Sequence, residues 1–376
     1  MGHIRSERLC NSGRFSRAVT AEEEALHPAL RVPPPRHSHC PGRVNLIGDH
    51  TDYNGGVALP MAIDLGTDVV FEPDSSELIV LKSDTEDEHA EVHVKIPLEH
   101  EYLRAVRPAW ARYVAGMVAV VRPRTGGWGR ITTTLPVGAG LSSSAALCVS
   151  VALALGLEGS PPRVARICQR GEQEATGMQG GIMDQLVTTS AVEGAALLID
   201  FADLSARPVL VPEAAEFVVV HSGQSRNLPV TAYAARRAEC EAASYHLGPL
   251  GHVDPEAILG IPDPTLRRRA RHVVTECDRV RWFARAMVAG DLGEAGRLMI
   301  ASHQSLATDF EVSTPALDQL VAKLLEVPGV HGARLTGAGF GGCVVALTEP
   351  GALDPDDFPA GAWRVRASKA ASVELL

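Results

Sequence analysis

Aromatic residues are scarce in this sequence, making up 5% of its 376 positions. The core must therefore rest on Val, Leu, Ala and Ile. A Cys-x-x-Cys pair is also missing: the seven cysteines stand at 10, 40, 148, 168, 240, 277 and 343, an odd and scattered set. That spacing argues against zinc frameworks and disulfide scaffolds, and a reducing cytoplasm is expected. No apolar run reaches the roughly 18 residues that a spanning helix needs. Residues 1 to 20 carry arginines without the apolar centre of a signal peptide, so no membrane partner is expected. Excess positive charge is absent too. A net charge of -10 argues against non-specific nucleic-acid binding. What remains, 45% apolar and 21% charged residues, is ordinary for a globular chain long enough for two domains.

The stretch RVNLIGDHTDYNGG, residues 43 to 56, stands out against that background. An apolar run ends at Gly48, and Asp49, His50, Thr51, Asp52, Tyr53 and Asn54 follow without a break. Ahead of it, the proline-rich HPALRVPPPRHSHCPG reads as an extended lead-in. The runs RVNLIG, VALPMAI, DVVFEP, ELIVLKS, AEVHVKI and RITTTLP have strand character. Residues 108 to 122 have helical length and spacing. An unbroken apolar helix is expected from about Ser143, a second one over RVARICQRGEQEATG, and a short one over GGIMDQLVTTSAVEG. AALLIDF and EFVVVHSG read as strands, AYAARRAECEAASYHL and residues 265 to 289 as helices, and RLTGAGFGGCVVALTE as strand, glycine loop, strand. Strands dominate the first third and mixed elements follow, which favours an α+β fold without internal repeats.

Three stretches carry chemistry. In GAGLSSS, Gly138, Ala139, Gly140, Leu141, Ser142, Ser143 and Ser144 precede the apolar helix. Glycines let a backbone approach a ligand, and a helix start offers unpaired N–H groups that suit a phosphate. One serine would suffice as a helix cap, so three in a row favour phosphate binding. The loop lacks Gly-Lys-Ser or Gly-Lys-Thr and is not a Walker A motif. GAGFGG, with Gly337, Gly339 and Gly341, formally matches Gly-x-Gly-x-x-Gly, but a strand follows it where a dinucleotide site needs a helix. A Gly-rich hairpin is the expected alternative. Asp184 sits just inside a helix start; the helix dipole alone explains an acidic residue there, and a general base paired with Arg43 is the functional reading. Glu172 and Glu174 lie on one helix, where glutamates are usually solvated, although a carboxylate near the serines would complete a Mg²⁺ site.

PGRVNLIGDHTDYNGGVALP, LPVGAGLSSSAAL and RLTGAGFGGC, in this order, resemble the three motifs of the GHMP small-molecule kinases and, within them, of the galactokinase family. GIMDQ and AYAARRAEC are similar to that family's catalytic-aspartate segment and tyrosine-bearing helix. The resemblance spans roughly residues 40 to 348. It implies a two-domain GHMP kinase fold, with an N-terminal half like ribosomal protein S5 domain 2 and a ferredoxin-like C-terminal half. The division implied is a lead-in over 1–36, an N-terminal domain over 37–200 and a C-terminal domain over 201–376. It implies ATP-dependent phosphorylation of galactose at C1, with ATP and Mg²⁺ required. Asp184 would be the base or the group orienting the sugar hydroxyl, kept ionised by Arg43. Asp49, His50, Thr51, Asp52, Gly181 and Tyr233 would hold the sugar. Gly138 to Ser144 would wrap the phosphates, Ser83 would touch the nucleotide, and Ser144 with Glu172, which outranks Glu174 by its spacing from Asp184, would hold the metal. The family usually has Glu at the position of Asp49, and Asp is shorter by about 1.5 Å. That keeps open a kinase for another galacto-configured sugar, such as N-acetylgalactosamine or L-arabinose; a non-catalytic sugar sensor is disfavoured by the intact serine loop. A monomer is expected, with a dimer left open.

Overall fold

Three antiparallel-rich sheets organise the chain, as seen in a computed structural model that describes residues 32–136, 138–224 and 230–376. In chain order the strands are β1 (Arg36–Asn45), β2 (Val57–Ala58), β3 (Pro60–Pro73), β4 (Leu78–Ser83), β5 (Ala90–His93), β6 (Gly127–Thr133), β7 (Ala195–Asp200), β8 (Ser205–Leu210), β9 (Glu216–His221), β10 (Val330–Thr336), β11 (Cys343–Thr348), β12 (Ala362–Val365) and β13 (Ser372–Leu375). The helices are α1 (His100–Ala105), α2 (Ala111–Val121), α3 (Ser143–Ala154), α4 (Pro161–Thr176), α5 (Met183–Ser190), α6 (Val230–Leu247), α7 (Pro264–Ala289), α8 (Leu292–Thr308) and α9 (Pro315–Leu325).

The first sheet runs β13-β1-β3-β6-β4-β5, and only β4 and β6 pair in parallel. Helix α3 lies against β1 and β3, with α2 and α4 beside it. Its sequence is apolar on nearly every face, as a helix enclosed on all sides requires. The second sheet, β10-β11-β9-β12, is covered by α8 and α9. The third, β2-β7-β8, is small and packs on β3 and α7. Residues 34–376 form one compact unit. The division expected at residue 200 falls between β7 and β8, which pair along their whole length. At the far end of the chain, β13 returns to the sheet that holds β1.

Two expectations are corrected here. The proline-rich HPALRVPPPRHSHCPG is not a lead-in throughout: β1 begins at Arg36, because residues 36–39 pair with β3 on one side and β13 on the other. The first 31 residues of the chain lie outside the described part. VALPMAI and DVVFEP do not mark separate strands; Pro60–Pro73 is one strand running through the polar Asp64 and Thr67. The α+β assignment, the helix start at Ser143 and the β10–β11 hairpin around GAGFGG stand as expected.

Candidate active site

Arg43 lies near the end of β1, almost fully buried. Its Nε donates to Asp184 Oδ1 at 2.8 Å and its Nη2 to Asp184 Oδ2 at 2.9 Å, a two-pronged pair. Nη1 reaches the carbonyl of Gly140 at 2.8 Å, which ties the pair to the Gly-Ser loop. The Ser142 hydroxyl also donates to Asp184 Oδ2. Asp184 itself stands in the first turn of α5, where the positive end of the helix favours a carboxylate.

Two cavities open on either side of this pair. One, of about 260 Å³, is lined by Asp49, His50, Asp52 and Tyr53 together with Glu172, Gly181, Tyr233 and Gly337. The other, of about 410 Å³, is lined by Gly138, Gly140 and Ser142 to Ser144, and by a wall of Trp110, Ile131 and Leu147. Arg43, Tyr113, Ser144 and Asp184 line both.

The polar run from 49 to 54 divides its labour. Gly48 adopts φ +100, and a Cβ there would collide with the Ala58 backbone, so only glycine lets the loop leave β1 this way. The Thr51 hydroxyl bonds Gly48 O and Val57 O, both at 2.9 Å, and Asn54 Nδ2 donates to His50 O at 2.8 Å. These two brace the loop. Thr51 is fully buried and lines neither cavity, which corrects its expected place among the sugar ligands. His50, Asp52 and Tyr53 line the smaller cavity. Burial pushes the His50 imidazole down to about 4, so it is neutral near pH 7. Its Nε2 faces the Ala338 carbonyl at 3.2 Å and must carry the hydrogen; its Nδ1 accepts from the Tyr53 hydroxyl at 2.9 Å. Burial raises the Asp52 carboxyl to about 6, with the charge of Asp184 adding to it. Gly181 packs against that carboxylate so closely that a Cβ would overlap it. Asp49 also borders this cavity, but Arg334 and the backbone N–H of Gly337 already donate to its two oxygens.

On the other side, the loop carries positive φ at Gly138, Gly140 and Ser142 before α3 begins. Ala139 and Leu141 point into the core and line neither cavity, so of the loop's seven residues five face the space. Ser83 reaches the same space from β4, its hydroxyl 3.1 Å from that of Thr85. Glu172 accepts from Gln185 Nε2 at 2.5 Å and from the Ser144 hydroxyl. Burial lifts its carboxyl to about 7, and the neighbouring Asp184 charge adds to the lift. Of the third motif, Gly337 lines the sugar-sized cavity; Gly339 and Gly341 do not, and serve the positive φ of the hairpin turn.

Sequence reasoning did not single out Tyr53, Trp110, Gln185 or Arg334 as site residues. Arg334 had a signal: a lone formal charge within the strand ahead of GAGFGG, next to Ala333 and Leu335, implies a buried partner. Among the described residues no group of three or more His, Cys, Asp or Glu side chains clusters as a ready-made metal site. A Mg²⁺ ion with one or two protein oxygens and the rest from phosphate and water still fits Ser144 and Glu172.

A cavity lined by polar side chains, a glycine- and serine-rich loop at a helix start, and a carboxylate–guanidinium pair between them are the arrangement of a small-molecule phosphotransferase. The galactokinase galactose-binding signature matches residues 30–73, the GHMP kinase N-terminal domain residues 112–191, and the GHMP kinase C-terminal domain residues 283–355. Human galactokinase (Homo sapiens) is 38% identical over 367 residues, covering 94% of this chain and 92% of that protein. Galactokinase of Mycobacterium tuberculosis is 42% identical over 325 residues, covering 82% and 87%. The solved structure of Lactococcus lactis galactokinase complexed with galactose is similar at a TM-score of 0.82 and 29% identity, covering 90% of this chain and 95% of that one. The chain belongs to the galactokinase family of the GHMP kinases.

Proposed function

We propose that the chain transfers the terminal phosphoryl group of ATP to the C1 hydroxyl of α-D-galactose, giving galactose 1-phosphate and ADP. The observation that carries this reading is the Arg43–Asp184 pair standing where the two cavities meet. The galactokinase relatives and the galactose-bound neighbour support galactose as the sugar.

The sugar occupies the smaller cavity, where Asp52 and Tyr233 meet its hydroxyls, His50 lines the wall and Asp49 closes one end. Carboxylate-to-hydroxyl bonds are charge-assisted and contribute on the order of 1.5–3 kcal/mol each. A sugar lacking a matched hydroxyl leaves a recessed carboxylate unpaired, so rejection is steep. ATP lies in the larger cavity, its base against Trp110, Ile131 and Leu147 and its phosphates along the N–H groups of residues 138–144. The O1 lone pair attacks the terminal phosphorus, the bond to the ADP oxygen breaks, and the O1 proton passes to Asp184. Phosphoryl transfer needs positioning and charge neutralisation more than a strong base. Asp184 therefore acts chiefly by orienting O1, and Arg43 faces the charge on the transferred group. Mg²⁺, held by Ser144 and Glu172, would supply further charge neutralisation on the phosphates.

Two halves, 37–200 and 201–376, remain the proposed division, supported by the separate N- and C-terminal matches. A reducing cytoplasm is the proposed location; six cysteines in the described residues are free and buried, and no helix among those residues is long and apolar enough to cross a membrane. A sugar panel followed by coupled ADP release tests the substrate. Galactose should turn over fastest. Faster turnover of L-arabinose or N-acetylgalactosamine would overturn galactose as the substrate, and no turnover of any sugar would overturn catalysis.

A further inference from the structure

The loop that carries the sugar ligands is gripped from far along the chain. His272 on α7 meets Asp49 O at 3.1 Å, 223 positions away, and Thr336 on β10 donates to Asn45 O at 2.9 Å, 291 positions away. Glu276 on α7, fully buried, accepts from Gly48 N at 3.0 Å and from the Ser302 hydroxyl at 2.5 Å. Burial is the largest single influence and opposes its charge, yet Arg279, His272, Arg334 and the Ser302 hydroxyl together outweigh it and bring the carboxyl down to about 2. Arg334 on β10 is also fully buried. Its Nη1 donates to Leu46 O at 3.2 Å, its Nη2 donates to Asp49 Oδ2 at 2.5 Å, and Glu276 Oε1 lies 3.9 Å from it. The other Asp49 oxygen accepts from Gly337 N at 2.9 Å, at the turn of the glycine hairpin.

An ionised carboxylate offers about four acceptor sites, and here two are taken inside the protein. The direction of the remaining ones is set by the guanidinium fork, which is planar and can hold Asp49 and the Leu46 carbonyl at once. We propose that Arg334 is a positioning residue for the sugar: it aims the Asp49 carboxylate and docks the sugar loop on the glycine hairpin, so that sugar affinity is tuned from β10 and α7. This rests on the reading of the smaller cavity as the sugar site. Arg334 lines neither cavity and touches neither reacting group.

The test compares the wild type with Arg334→Met, Arg334→Lys, Asp49→Asn and the double variant Asp49→Asn/Arg334→Met, measuring kcat and the KM for galactose and for MgATP. Arg334→Met should raise the galactose KM about 30-fold, the scale of truncating one partner of a buried charge pair, with the MgATP KM within about twofold. Arg334→Lys, which keeps the charge and loses the fork, should fall between. In the Asp49→Asn background the Met substitution should add less than about threefold, because the partner it aims is already neutral. Should Arg334→Met fail to fold, the neutral double variant and Arg334→Lys decide the same points. Equal rises in both KM values, or penalties that multiply in the double variant, would mark Arg334 as general scaffolding and overturn the proposal. An active wild type with those results sinks this inference alone; a wild type inert toward galactose sinks the kinase reading and this inference with it.

Discussion

The two cavities are built by opposite means. The smaller is written in side chains: Asp52, Tyr53 and Tyr233 bring polar groups to its wall beside His50, and the loop that carries the first two is held by distant parts of the chain. The larger is written mostly in backbone: Gly138, Gly140 and the left-handed Ser142 shape a loop ahead of a helix start, and Trp110, Ile131 and Leu147 line the same space. On the proposed assignment of sugar and nucleotide to the two cavities, the difference follows from the ligands. A hexose is told from its epimers by the direction of single hydroxyls, which needs individually aimed partners. A triphosphate presents diffuse negative charge, which rows of backbone N–H groups and a helix start satisfy without side-chain identity. Substitutions should therefore act through chemistry on one side and through shape on the other.

The largest effect is expected at the seam. Asp184→Ala should lower kcat by about 10³-fold or more, within the usual range for removing a proton-handling group, while galactose binding by calorimetry survives. Loss of binding together with rate would show that Asp184 belongs to one cavity only and would break the comparison. Next comes the side-chain cavity. Asp52→Asn should raise the galactose KM about 30-fold, the cost of exchanging a charge-assisted bond for a neutral one, with the MgATP KM unchanged. A parallel rise in both would show that the cavities are not separately encoded.

The pH dependence sharpens the same point. In the proposed sugar site Asp52 accepts from hydroxyls as an anion, and its carboxyl is raised to about 6. Ionisation is thus complete above neutrality and lost as pH falls through about 6. At saturating MgATP, kcat/KM for galactose at pH 5 should be about tenfold below its value at pH 8, and Asp52→Asn should flatten that step. A profile unchanged by the substitution would assign the titration elsewhere. The smallest effect belongs to the backbone cavity. Gly138 has φ +78 and open space where a Cβ would point, so Gly138→Ala tests backbone shape without a clash. Strain of about 1 kcal/mol should raise the MgATP KM about fivefold and leave the galactose KM alone.

Legibility in the sequence followed the same divide. The loop at 138–144 and the helix after it were readable because local requirements shape them: glycine at positive φ and a run of apolar residues that can only be buried. The Arg43–Asp184 partnership was offered from chemistry, a carboxylate that needs a cation, and the resemblance added support; 141 positions separate the two and no local pattern links a strand end to a helix start. Elements with blurred patterns were missed. On α8 the inner face carries Ser302, His303 and Ser305, which hide its periodicity. β8 is an exposed edge strand containing Pro208, where alternation is weak. The polar run 49–54 was readable as a site but not in its parts: Thr51 and Asn54 proved to be braces, and Asp49 proved to be held from within the protein.

By itself the sequence determined which segments turn, which are buried, and the order in which the motifs follow, because those depend on backbone sterics and on apolar runs that act over a few residues. Only the tertiary structure decided which polar side chains face the cavities and which are spent inside. That choice depends on partners such as Arg334, Glu276 and His272, which the chain brings to the loop from more than 220 positions away.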